Sequence, residues 1–199
     1  MNTAYIGQLQ TKEIIDGLYL GNLETSNNQE YLESQNITVI LNLCETANKQ
    51  FPNIEYHHIP LADEQTENIF KHFPEFYTII NEALSNNKKV LVHCFAGVSR
   101  SSTAVISYIM KSQMISLKDA YFTVRKKKRN ISPNKGFWNQ LCVYEMELLH
   151  VRQPSYSCVD YYTDYIYDFL DEMIEKEVVR KTVIEYNCDV TNALNALFK

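Results

Sequence analysis

An α/β fold, with a central, mostly parallel sheet flanked by helices and a small all-helical C-terminal extension, is predicted by three features of this 199-residue chain. Short apolar runs near residues 18–20, 37–43, 55–61 and 90–93 alternate with longer stretches whose apolar residues recur at helical spacing, the pattern of strands separated by crossover helices. Val90-Leu91-Val92 leads through small residues into Ser99-Arg100-Ser101-Ser102-Thr103, which reads as strand, tight turn and capped helix start. Beyond residue 150 only helical spacing remains.

Between the strands, helices are expected near 27–34, 66–85, 100–112, 117–128 and 135–150. Ile69, Phe70, Phe73, Tyr77, Ile80 and Leu84 mark the second of these, and Pro74 inside the series should kink or split it. Leu117, Ala120, Tyr121 and Val124 in the fourth, and Phe137, Leu141, Tyr144 and Leu148 in the fifth, recur as core positions do. Pro154-Ser155-Tyr156-Ser157 has linker composition and separates one domain, 1–150, from an extension, 151–199.

The stretch from Val90 to Ser101 carries the chemistry. A tight loop feeding a helix N-terminus turns successive N–H groups inward as an anion nest, and the helix dipole adds positive potential. Both effects favour a thiolate at Cys94, the nucleophilic form of cysteine. Arg100 returns to the same place, and its planar fork matches two phosphate oxygens where a lysine would offer a point charge. A bare Cys-x5-Arg would arise by composition in roughly one such chain in four. The preceding apolar run, His93, Gly97 and the hydroxyls of Ser99 and Ser101 are separate requirements that make the pattern specific.

His93-Cys94-Phe95-Ala96-Gly97-Val98-Ser99-Arg100-Ser101 resembles the signature of the dual-specificity phosphatases, within the cysteine-dependent protein tyrosine phosphatase superfamily. Ile15–Asn22 is similar to the family's first hairpin, Ile37–Leu43 to its early core strand, Tyr56–Asp63 to the strand before its acid loop, and Ile131–Leu141 to the segment before its last helix. The resemblance spans about residues 11–150 and implies a dual-specificity phosphatase-like fold.

It further implies Cys94 as nucleophile and Arg100 as phosphate clamp, with the amides of Phe95, Ala96, Gly97, Val98, Ser99 and Arg100 as cradle. Ser101 matches the hydroxyl that bonds the sulfur and helps it depart, and His93 the residue that props the loop. Asn134 matches a side chain that braces neighbouring loops, although Pro133-Asn134 also reads as an ordinary turn and helix cap. Expelling an alcohol or phenol oxygen from phosphorus requires a proton. Asp63, after Ile59-Pro60-Leu61-Ala62 and before a helix, stands where the family keeps its acid, with Glu64 and Glu67 nearby; a plain cap of the next helix is the alternative. Cys44 matches a position from which some relatives form a disulfide with the catalytic cysteine, and a small buried side chain is the other reading.

No cofactor is implied, and no metal. The five histidines (57, 58, 72, 93, 150) and five cysteines (44, 94, 142, 158, 188) lack paired ligand spacing, and neighbours on a strand such as His57-His58 point to opposite faces. Met1-Asn2-Thr3-Ala4-Tyr5 has neither an apolar signal core nor Met-Gly, and no apolar run reaches membrane length, so no membrane association is expected. Cysteine usage fits a reducing compartment, which predicts cytoplasm, with the nucleus as the second option. Arg125-Lys126-Lys127-Lys128-Arg129 reads as a solvated helix end, with electrostatic guidance of phosphorylated substrates or nuclear targeting as further roles. A formal charge of −5 without an aromatic-basic platform excludes nucleic-acid binding.

Nearly all the net negative charge, −4 of −5, comes from 151–199, where nine acidic residues face five basic ones. Three short amphipathic helices are expected there, and Cys188–Phe198 is similar to the third helix of ubiquitin-associated-type bundles. A ubiquitin-like or other protein partner is one consequence, and a helical extension packed on the catalytic domain is the alternative. The loop lacks the lysines of phosphoinositide-directed relatives, and Trp138 is the sole tryptophan, so no tryptophan-bearing acid loop is present. The resemblance therefore implies protein substrates phosphorylated on tyrosine, serine or threonine and a small, atypical type without a docking domain. A turnover-deficient phosphoprotein adaptor and a lipid or RNA 5′-phosphatase are the competing classes.

Overall fold

The computed structural model of the chain describes residues 10–47, 49–171 and 173–198; the segment Met1–Tyr5 lies outside them. Five strands, β1 (Lys12–Ile15), β2 (Leu18–Asn22), β3 (Ile37–Asn42), β4 (Glu55–His58) and β5 (Lys89–Cys94), form one sheet in the order β1-β2-β5-β3-β4. Only β1 runs antiparallel to its neighbour; the other pairs are parallel. Central β5 pairs Val92 with Leu20 on one side and Leu41 on the other, and all three are fully buried. Strands covered on both faces need unbroken apolar runs, which is why β2, β3 and β5 are so legible.

The helices are α1 (Leu23–Ser26), α2 (Gln29–Gln35), α3 (Phe73–Ser85), α4 (Arg100–Gln113), α5 (Leu117–Lys127), α6 (Lys135–Leu149), α7 (Cys158–Phe169), α8 (Lys176–Glu185) and α9 (Val190–Leu197). Helix α4 is buried continuously from Arg100 to Met110, so the helix that receives the phosphate loop is the most enclosed in the molecule. The helix expected over 66–85 begins only at Phe73, after a 3₁₀ turn Phe70–His72. Pro74 falls in its first turn, where the missing N–H needs no partner, so the proline starts the helix. The strand expected to reach 61 stops at His58; Ile59 N–H makes the last bond to Asn42 O (3.0 Å) and Pro60 follows with no N–H to give.

Three helices follow residue 150, and they share the core of the rest. Tyr161 on α7 stacks on Trp138 of α6 (4.0 Å, 12°), with Tyr121 of α5 edge-on to both. Trp138 Nε1–H donates to Tyr156 O (3.2 Å). The stretch 154–157 is bound down: Ser155 N–H donates to Glu145 Oε2 (2.8 Å), and buried Tyr156 donates its hydroxyl to Asp164 (2.6 Å). Ser157 and Asp160 form a reciprocal capping box that opens α7. Val179, Val183 and Ala193 close the interior of α7–α9. Of the four α7 tyrosines, Tyr161 and Tyr162 are buried, Tyr167 half-buried and Tyr165 exposed.

Candidate active site

Because β5 ends at Cys94 and α4 begins at Arg100, the intervening loop lies outside the carboxyl end of the central strand, where parallel sheets open a crevice for ligands. Gly97 adopts φ +71°, and a Cβ there would stand 2.5 Å from Gly21 O, so only glycine lets the loop close against β2. Leu23 N–H donates to Phe95 O (3.2 Å) and Ser132 N–H to Val98 O (2.8 Å), anchoring the loop from both flanks. Phe95 is 69% exposed at its rim, and Ala96 is also exposed.

Ser99 departs from the expected helix cap. It occupies the N-cap position of α4, yet its side chain makes no cap hydrogen bond. Instead Ser99 Oγ donates to Asp63 Oδ1 (2.7 Å) and accepts from Asn134 N–H (3.1 Å). A capping hydroxyl would occupy the seat of an incoming anion; turned sideways, it leaves the first-turn amides of α4 to a ligand.

Cys94 is 1% exposed at the base of the bowl, and its sulfur accepts from Ser101 Oγ–H at 3.2 Å. Arg100, 7% exposed, donates through Nη1 to Leu61 O (2.9 Å) and Leu43 O (3.4 Å). These bonds hold the guanidinium at a fixed angle. Its Nε has no hydrogen-bond partner in the protein and lies 3.6 Å from Asp63 Oδ2. Asp63 itself also receives Asn134 Nδ2–H at 2.9 Å, while Asn134 Oδ1 caps α6 through Phe137 N–H (3.0 Å). One Asn134 side chain thus caps α6 and bonds the loop that carries Asp63.

The acid loop is fixed by close packing. Gly136 lies so near the Gln65 backbone that a Cβ would fall 1.9 Å from Gln65 O. Gln140 Nε2–H donates to Glu67 O (2.8 Å), and Glu67 Oε2 accepts from Ala62 N–H (3.3 Å). Glu64 is simply exposed.

His93 is wholly buried behind the loop, with Nδ1 3.4 Å from Cys94 O, and burial pushes its imidazole down to about 4. Any help it gives the thiol at neutral pH comes through hydrogen bonding, since the ring carries no charge there. Cys44 is buried beside β3, and burial, with the Cys94 thiol nearby, pushes its own thiol up to about 11. His58 Nε2 bonds Cys44 O (2.9 Å) whereas His57 pairs with Glu55 (2.9 Å), so the two histidines serve separate partners. Among the described residues no group of three or more His, Cys, Asp or Glu stands close enough to hold a metal ion.

The basic run holds one correction. Lys128 is no part of a solvated helix end: it is 3% exposed, its ammonium bonds Asn130 Oδ1, and burial lowers its pKa. Lys12, Lys126, Lys127 and Arg129 line a cleft of about 690 Å³ with it. The sequence signal was helical spacing: Lys128 follows Tyr121 by seven residues and Val124 by four, on the buried face of α5. Ser132 and Tyr161, which sit behind the loop, left no comparable signal.

With a buried cysteine and a clamped arginine at the two ends of the β5–α4 loop, the class is defined by comparison. Residues 18–147 match the family described as "Dual specificity phosphatase, catalytic domain", and the chain belongs to that family. Human dual specificity protein phosphatase 9 is 43% identical over 139 residues, covering 68% of this chain and 36% of that protein; human dual specificity protein phosphatase 6 is 42% identical over the same shares. The chain thus spans about a third of the length of these curated relatives. Among solved structures, a mouse putative dual specificity phosphatase complexed with zinc tungstate superposes with a TM-score of 0.69 at 25% identity, covering 75% of this chain and 95% of that one. The human tyrosine phosphatase-like serine/threonine/tyrosine-interacting protein gives 0.64 at 34% identity, covering 70% and 97%. These matches share the sheet-and-helix architecture described above.

Proposed function

We propose that this chain is a protein phosphatase that hydrolyses phosphotyrosine, phosphoserine and phosphothreonine through a phosphocysteine intermediate. The observation that carries the reading is the sideways Ser99 hydroxyl: it leaves the α4 amides uncapped above a buried thiol and beside an Arg100 Nε that no protein group satisfies. An oxyanion fits all three at once.

The thiolate of Cys94 attacks phosphorus in line, while Asp63, through the oxygen that Ser99 and Asn134 leave free, protonates the departing oxygen. Arg100 and the loop amides follow the charge on the non-bridging oxygens into the transition state. In the second step the Asp63 carboxylate takes a proton from water, the water oxygen attacks phosphorus, and the Ser101 hydroxyl stabilises the sulfur as it leaves. Exposed Phe95 and Ala96 at the rim add no cation for a multiply phosphorylated sugar ring, which favours protein substrates.

Cys94→Ser is expected to abolish release of phosphate from an aryl phosphate while retaining tungstate binding, since the amide cradle and Arg100 stay in place. Turnover by the variant equal to the parent would overturn the mechanism.

A further inference from the structure

Val98 O is held from outside the bowl, by Ser132 N–H (2.8 Å) and by the hydroxyl of Ser102. In a trans peptide the carbonyl and the following N–H point to opposite sides. Pinning the Val98 carbonyl outward therefore fixes the Ser99 N–H inward, as one of the donors of the anion cradle. Ser132 is itself held: its Oγ lies 3.0 Å from the hydroxyl of Tyr161. Tyr161 is 1% exposed, flat on Trp138 and edge-on to Tyr121, and burial keeps its phenol protonated. A buried phenol needs a partner for its hydroxyl, and this one finds it on the residue that grips the phosphate loop. Tyr161 lies on α7, outside residues 18–147.

We propose that Tyr161 is a positioning residue of the phosphate loop: through Ser132 it sets the Val98–Ser99 peptide in its anion-binding orientation, so that the C-terminal helical unit is a working part of the active site. The inference rests on the phosphatase reading above. It also gives the extension a role that needs no partner protein.

The test uses the full chain carrying Tyr161→Phe, Ser132→Ala or both, with tungstate as the unreactive oxyanion. Each variant is compared with the parent for tungstate Kd by calorimetry, for KM and kcat on an aryl phosphate, and for melting temperature. Losing one neutral hydrogen bond in this chain is expected to raise Kd and KM by roughly 3- to 10-fold and to leave kcat within about twofold. The double variant should be no weaker than the weaker single, because both changes cut the same strut. A purely structural hydroxyl would lower the melting temperature and leave Kd and KM alone. Tungstate affinity unchanged in a folded Tyr161→Phe protein overturns the proposal, as does full additivity in the double variant. Should Tyr161→Phe fail to fold, Ser132→Ala decides by the same measurements. An active parent with indifferent variants sinks this inference alone; a parent that neither binds tungstate nor turns over substrate sinks the phosphatase reading and this inference together.

Discussion

Around the phosphate loop many buried side chains are polar, whereas where α7 meets α5 and α6 they are aromatic. His93, Ser99, Arg100, Ser101, Ser102 and Thr103 are all at most 7% exposed, and their hydrogen bonds run between loop, acid loop and helix. At the junction with the extension, Trp138, Tyr121, Tyr156 and Tyr161 interlock by ring contacts, and the charged pairs lie at the surface. Buried polar groups are costly to desolvate and return directional precision; buried aromatic rings return chiefly stability, and aim a neighbour only where a hydroxyl such as that of Tyr161 reaches a polar partner. Substitutions in the first region should therefore move rate more than stability, and in the second the reverse.

The largest effect expected is on rate. Asp63→Asn keeps the shape of the acid loop and can still accept from Ser99, yet it holds no transferable proton. Turnover on phosphoprotein should fall by roughly 10²- to 10⁴-fold, with the melting temperature little changed. If the variant unfolds early and keeps its rate per folded molecule, the contrast between the two regions fails at its clearest point.

Next comes stability on the other side. Tyr161→Ala removes the ring stacked on Trp138 and opens a hole in a fully enclosed cluster, which should cost about 3–5 kcal/mol of unfolding free energy in denaturant titration. Loss of oxyanion affinity beyond this would sharpen the comparison, since Tyr161 is the one aromatic residue tied to the loop through Ser132. A cost below about 1 kcal/mol would mean that the C-terminal helices rest on the catalytic region without sharing its core.

His93 supplies a smaller effect, on pH dependence. Its imidazole sits near 4 in the folded chain, below the unfolded value near 6.5. Between those values the unfolded chain binds a proton that the folded one does not, so stability rises with pH there. The contribution is complete above about pH 6.5 and is lost as pH falls toward 4, by about 3 kcal/mol at most. Unfolding curves of the parent and His93→Asn, measured from pH 7 to pH 4, should converge by that amount. Parallel curves would show that the ring titrates normally.

How much of this was readable in advance follows the same divide. The strand-loop-helix junction was legible because its constraints are local: an apolar strand, a glycine that must take positive φ, and an arginine separated from the cysteine by five loop residues. Asp63 and Asn134 were legible only through family resemblance, because the bonds that join Asp63 to Ser99 and to Asn134 cross 36 and 71 residues of chain. Harder still were Lys128, hidden in a run of surface-type charges, and Tyr161, one tyrosine among four on α7. Helical spacing marked Tyr161 as no different from its neighbours, since the partner that singles it out, Ser132, belongs to a loop without periodicity. The two short elements β1 and α1 went unread by pattern for the same reason: four residues each carry too little period to register.

The smallest effect tests the surface of the extension. Arg180 on α8 pairs with Asp160 in the first turn of α7, and both side chains are substantially exposed. Solvent screens such a pair, and ordering two side chains offsets much of its attraction. Asp160 also keeps Ser157 N–H and hydroxyl as partners, so the cap of α7 survives without the arginine. Arg180→Ala should therefore cost less than about 1 kcal/mol and leave tungstate affinity untouched. A larger loss, screened away in high salt, would show that α8 is held to α7 by charge, and the aromatic seam would then account for only part of how the extension stays in place.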